Sequence, residues 1–270
     1  MPIDTRVAQS FLETDFEKKL FNASVAYIFQ PNDPLRFNSF AASMREIFRH
    51  VLARLSPDQN IIQCSWFTSE TQTGSPSRRQ RIIYAIRGGL NEDFLKNELD
   101  IELENELTEI IKSINLLSKY THVNKNTFDL DQVKCEEYSK NVIDSFITIF
   151  ELIFDIRNEL KNALRDYIGD GVLYTFLGKV FDNLDILSMN TTTEYSELES
   201  FEILNIDNES IHIHGCGYVH VSLNYGSGDD GTELTSSFPF DLQCYSQVSS
   251  TKDLEIQQGN IHVDTSSWYE

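Results

Sequence analysis

Three histidines, His212, His214 and His220, stand close together in the last third of the chain, and Asp229, Asp230 and Glu233 follow them. Imidazole nitrogens and carboxylate oxygens are the donors that hold a divalent metal, so such a set on one strand face has the chemistry of a metal site. A plainer reading competes with it. From Ser210 to Tyr225 the residues alternate, with Ile211, Ile213, Val219, Val221, Leu223 and Tyr225 on one face and the histidines, Tyr218, Ser222 and Asn224 on the other. An antiparallel sheet with one apolar face keeps its polar side chains on the solvent side, and that alone accounts for the histidines. We expect no metal ligand among them.

A second arrangement lies in Arg45-Glu46-Ile47-Phe48-Arg49-His50. The spacing of Arg45 and His50 resembles the RNase-type motif of the HEPN superfamily, in which an arginine precedes a histidine by a few residues within a helical bundle. These two are the candidate catalytic residues. On one continuous helix, however, five residues turn through about 500°, so the side chains diverge by roughly 140° unless a partner helix supplies the counterpart. Arg157-Asn158 carries the first half of the pattern with no histidine after it. The acid-x-lysine element of a metal-dependent nuclease has a literal match in Glu159-Leu160-Lys161, inside a predicted helix, while Asp241-Leu242-Gln243 lies on a strand and lacks the lysine. A divalent metal enters only if the protein is a nuclease, and no other cofactor is indicated.

Arg78, Arg79, Arg81 and Arg87 form the one dense positive cluster in an acidic chain. Guanidinium groups grip phosphates or carboxylates in two-point fashion. With a net charge of −20, carboxylates are abundant and close, and we expect the cluster to dock onto acids of this protein or of a second subunit, Asp100 to Glu109 or the C-terminal segment among them. There is no phosphate-binding glycine loop and no GxSxG.

The elements that must position these residues fall into two regimes. In Arg36 to Leu55 the residues Phe37, Phe40, Met44, Ile47, Phe48, Val51 and Leu52 recur at helical spacing, and Leu103 to Leu117 repeats the pattern. Further helices are predicted at about Asp15 to Phe29, ended by Pro31 and Pro34, from Pro76 with Ser75 as its cap to Gly88-Gly89, and at Glu92 to Glu98, Leu130 to Tyr167 and Gly171 to Leu187. Beyond Thr191-Thr192-Thr193 the period becomes two. The strand from Ser210 is expected to bend at Gly215 and Gly217, a turn follows at Gly226 to Gly231, and Phe238 to Tyr245 is a further strand. Leu254 to Gln257 and Ile261 to Asp264 form a predicted hairpin across Gln258-Gly259-Asn260. The fold class is therefore α+β: an all-helical N-terminal bundle over residues 1–190, suited to a HEPN-like motif, followed by a small antiparallel β domain, sandwich-like, over residues 191–270.

Charge follows the same division. From Thr191 onward there are fourteen acids against the single Lys252. Such a segment repels a phosphate backbone, argues against direct nucleic-acid binding and suits a basic protein partner. Four cysteines without a CxxC pair predict reduced thiols and a cytoplasmic setting. The acids at Asp4, Glu13, Asp15 and Glu17 are unlike a signal peptide, and no apolar run approaches a membrane span, so no membrane association is expected.

Several phrases resemble a bacterial family described as predicted pPIWI-associating nucleases: Phe37 to Leu55, Leu55-Ser56-Pro57-Asp58, Cys64-Ser65-Trp66-Phe67, Arg78 to Leu90, and Gly217-Tyr218-Val219-His220-Val221 through to Phe238-Pro239-Phe240. The resemblance implies a component of an anti-phage or genome-conflict defence system, a nuclease effector, with another protein of the same operon or a second copy as its partner. The alternative is a non-catalytic adaptor of such a system. The resemblance implies no catalytic residue.

Overall fold

The computed structural model describes residues 5–30, 32–178, 181–226 and 231–269. It is helical in its first part and an antiparallel sheet in its last. Two compact units are present, one of Met1–Gly88 with Leu95–Ile156 and the other of Gly89–Phe94 with Arg157–Glu270. Secondary structure switches to strand at Asn190, yet the units divide at Ile156/Arg157, so the second unit takes helix as well as sheet.

The helical unit is organised by α1 (Arg6–Ser10), α2 (Asp15–Ile28), α3 (Arg36–Leu55), α4 (Asp58–Gln63) and α5 (Arg78–Arg87). They are joined by the last part of α6 (Glu92–Glu98), from Leu95 on, by α7 (Glu104–Tyr120) and by the first part of α8 (Gln132–Gly178). The stripe on α3 is part of the core: Phe40, Ala41, Met44 and Ile47 are wholly buried, as Ile110, Ile114 and Leu117 of α7 and Val142, Ile143 and Phe146 of α8 are buried. Aromatic edges interlock there, with Phe37 against Tyr120 at 4.8 Å and Phe48 against Phe146 at 5.3 Å. Asn38 donates to the Tyr120 carbonyl at 2.8 Å, which fixes the start of α3 to the end of α7.

Local chemistry moved some element ends. Helix α5 begins after Ser77 rather than at Pro76, because Ser77 and Gln80 make a reciprocal capping box and Gln80 also reaches the Thr68 carbonyl at 2.6 Å. The stretch after Leu55 holds the short α4, which the apolar pattern did not show. The expected break between Tyr167 and Gly171 does not occur. Helix α8 runs on through Gly169 and Gly171, and a Cβ at Gly171 would lie 3.0 Å from the Ile256 side chain, so glycine there permits a close approach. Pro31 lies outside the described residues.

In the second unit β1 (Asn190–Ile206), β2 (Ser210–Tyr225), β3 (Thr232–Gln247) and β4 (Ser250–Glu255) pair in that order, and β5 (Ile261–Val263) also pairs with β3. The expected hairpin of the last two strands is therefore replaced: β4 meets β3 at Tyr245–Gln247 and β5 meets it at Phe240–Leu242, end to end along one edge. The apolar face is covered by helix rather than by a second sheet. Leu160, Leu164, Ile168, Val172 and Phe176 of α8 are buried, and Phe176 packs on Phe240 at 5.1 Å. After α8 come α9 (Asp182–Asp185) and β1, which takes in, directly after Asn190, the three threonines read as a separator.

Strand β2 runs without interruption through Gly215 and Gly217, and its pairing with β3 carries no bulge there. Its Gly217 has the β1 backbone so close that a Cβ would meet the Glu197 carbonyl oxygen at 2.0 Å. Opposite it, β1 is irregular. Its register shifts skip Glu194, Glu199 and Leu204, and each added residue turns the alternation over. No helix among the described residues is long and apolar enough to cross a membrane.

Candidate functional site

Helix α3 presents Arg45, Phe48, Arg49 and Leu52 on one face, since spacings of three and four stack on successive turns. Helix α5 brings Arg78 and Arg81 toward them, and Ile114 of α7 completes the wall of a cavity of about 400 Å³. Its floor is apolar, with Phe48, Leu52 and Ile114 all buried, and its rim is four guanidinium groups.

Each rim arginine is held differently. Arg81 makes a two-point contact with Asp58, one arm at 2.9 Å. Arg49 donates to Glu46 at 2.8 Å. Arg45 reaches the Thr121 hydroxyl at 3.4 Å and Arg78 the Asn115 amide oxygen at 3.0 Å. Both of these are neutral oxygens. Four guanidiniums against two carboxylates leave the rim positive by two charges, and the first turn of α5 contains no acid to offset it.

The other residues singled out by sequence lie elsewhere in this unit. His50 turns to Phe16, ring centroids 4.9 Å apart, and to Arg49 at 3.0 Å, while Arg45 faces the cavity, so the two are taken up by different neighbours. Arg79 pairs with Glu104, inside the Asp100 to Glu109 run. Arg87 is buried with its guanidinium 5.3 Å from the centroid of the Trp66 ring. Arg49 had no separate signal beyond its place four residues after Arg45, which only a helical plot against α5 would have linked to Arg78 and Arg81.

On the sheet unit the three histidines occupy separate rungs of the polar face. His212 meets Asp207 at 2.7 Å, His214 lies 3.4 Å from Asp241, and His220 stacks on Tyr195 with centroids 4.1 Å apart. Glu233 accepts from Ser222 at 2.7 Å, and Asp229 and Asp230 lie outside the described residues. Among the described residues no group of three or more His, Cys, Asp or Glu side chains is arranged to hold a metal ion. Lys161 of the acid-x-lysine match sits over the Phe201 ring at 5.6 Å.

Asp207 caps the β1–β2 turn and reports on pH. Burial pushes its carboxyl upward, but N–H donors from Glu209 and Ser210 and the His212 ring outweigh burial and leave it below the usual carboxylate range. Its pKa is lower folded than unfolded, so its contribution is present above about pH 4 and is lost as pH falls through the folded value. Asp207→Ala should lower stability at pH 7 by about 1–2 kcal/mol and flatten the acid limb of the stability–pH curve. Urea melts from pH 2 to 7 measure both, and an unchanged acid limb would contradict the assignment.

Two comparisons with families bear on this architecture. A family model described as predicted pPIWI-associating nuclease matches residues 9–146, and a second with the same description matches residues 153–269. The chain belongs to this family. The gap between the two matches falls close to the division of the compact units at Ile156/Arg157. No curated protein and no solved structure matches the chain at a significant level.

Proposed function

We propose that the protein is a nuclease-like component of a prokaryotic conflict system, acting in the cytoplasm against invading nucleic acid together with a PIWI-like protein. The observation that carries this reading is the family membership of both units, because the description names both an activity and an association. Arg45, Arg49, Arg78 and Arg81 supply the helical unit with a place for an anionic group, and Arg45 enters as a binding residue rather than as half of an Arg–His pair. No chemical step is assigned to a metal.

A second reading, a non-catalytic adaptor, is favoured by the charge of the C-terminal segment, fourteen acids against Lys252, which suits a basic protein surface better than a polyanion. Co-expression with the PIWI-like protein, followed by assays of the purified chain and complex on single- and double-stranded DNA and RNA with Mg²⁺ or Mn²⁺, separates the two. Cleavage by the complex supports the first reading. Stable association without cleavage on any substrate transfers support to the adaptor, and failure to associate removes the ground for both.

A further inference from the structure

We propose that the arginine-rimmed cavity of the helical unit is a binding site for a phosphate monoester on a nucleoside, presented either as a free nucleotide or as the phosphorylated end of a strand. This deepens the reading above and rests on it for the nucleoside, while the phosphate follows from the site itself.

Charge sets the anion. Arg81 and Arg49 are already matched by Asp58 and Glu46, so the net excess of two resides with Arg45 and Arg78, which meet only neutral oxygens among the described residues. A phosphate monoester carries roughly −1.5 to −2 at pH 7, close to that excess, whereas each phosphodiester carries one charge. A carboxylate likewise supplies one. Arg78 and Arg79 also sit in the first turn of α5, where a helix favours anions and disfavours cations. An anion in the cavity offsets that local conflict. The two-point contact with Asp58 fixes the Arg81 plane, so part of the rim is in place before any ligand arrives.

Shape sets the body of the ligand. Ligand cavities run from about 300 to 1,000 Å³ with mostly apolar linings, and this one holds about 400 Å³ over Phe48, Leu52 and Ile114. A bare phosphate would leave that floor unused, and a sugar with its base would cover it. The net charge of −20 also discriminates by size. At physiological ionic strength fields decay over about 8 Å, so a ligand confined to the cavity responds to its rim, whereas a long polyanion passes acidic surface.

Calorimetric titration of the full chain in phosphate-free buffer tests the assignment, with adenosine monophosphate against adenosine and a short single-stranded oligonucleotide with a terminal phosphate against the same strand without one. Phosphate-bearing ligands should bind at least roughly tenfold more tightly than their phosphate-free counterparts. Arg45→Gln with Arg78→Gln should remove that advantage at unchanged thermal stability, and Lys112→Gln, on an exposed stretch of α7, should not. Tighter binding of the oligonucleotide points to a strand end, and tighter binding of the monophosphate to a free nucleotide. Equal affinity with and without phosphate, or a phosphate preference that survives the double substitution in a folded protein, overturns the proposal. Since these titrations use no PIWI-like protein and read no cleavage, they fail independently of the proposed nuclease role.

Discussion

Gly217→Ala should remove about 3 kcal/mol or more from the sheet unit and lower its melting temperature by about 10 °C or more. Gly217 pairs with Leu198 of β1 on one side and Phe240 of β3 on the other. A Cβ at this position would lie 2.0 Å from the Glu197 carbonyl oxygen, 3.0 Å from its carbon and 2.9 Å from the Phe240 ring. Two of the three obstacles are backbone, which moves only by breaking ladder hydrogen bonds. Overpacking in an ordinary core costs about 1–3 kcal/mol because side chains yield, and here they are not the limiting partner. Gly259→Ala, whose Cβ would meet nothing within 4 Å, is the matched control and should be near neutral. Thermal unfolding of the full chain decides it: a Gly217→Ala protein melting within a degree or two of its parent would mean that β1 and β2 are not so close.

Phe146→Ala is expected to cost the helical unit about 3–5 kcal/mol, a large share of the roughly 5–15 kcal/mol that separates folded from unfolded domains. Phe146 is wholly buried, and its ring meets Phe48 edge-on and Phe150 at 5.3 Å each. Truncation leaves a void directly behind Phe48, which floors the arginine cavity. The loss should therefore be felt twice, in unfolding free energy and in any ligand affinity measured where the protein is still folded. Phe146→Leu keeps most of the volume and should fall well short of the alanine cost. Equal destabilisation by leucine and alanine would show that ring contacts, not volume, hold this part of the core.

Much of the helical unit could be read from the chain because α3 and α7 keep an unbroken helical stripe, and one stripe needs no knowledge of its partners. The same holds for β2, where alternation placed Ile211, Ile213, Val219, Val221 and Leu223 on the buried side. Strand β1 was hidden for a physical reason: with Glu194, Glu199 and Leu204 as extra residues, its alternation restarts every five positions. The continuity of α8 was hidden because two glycines close together, at 169 and 171, weaken a helix by propensity alone, and only at 171 does a neighbour, the Ile256 side chain, come close to where a Cβ would stand. The hairpin expected near the C-terminus failed because both short strands find a longer partner in β3. At the candidate site the types were legible and the company was not. Arg45 was read with His50 because they are neighbours in sequence, whereas folding sets Arg45 beside Arg78 and Arg81.

The irregular pairing of β1 bears on how this protein survives at high concentration. β1 is the outermost strand of its sheet, and an outer strand offers free amide and carbonyl groups on which another molecule can continue the ladder. A flat outer strand of seventeen residues would be a template for fibrils. Three interruptions twist it out of register with any straight copy of itself, and Glu194, Glu197, Glu199 and Glu202, unrelieved by any lysine or arginine along its length, repel an identical strand laid alongside. The feature that concealed this strand from a reader of the sequence thus also conceals it from other copies of the same molecule.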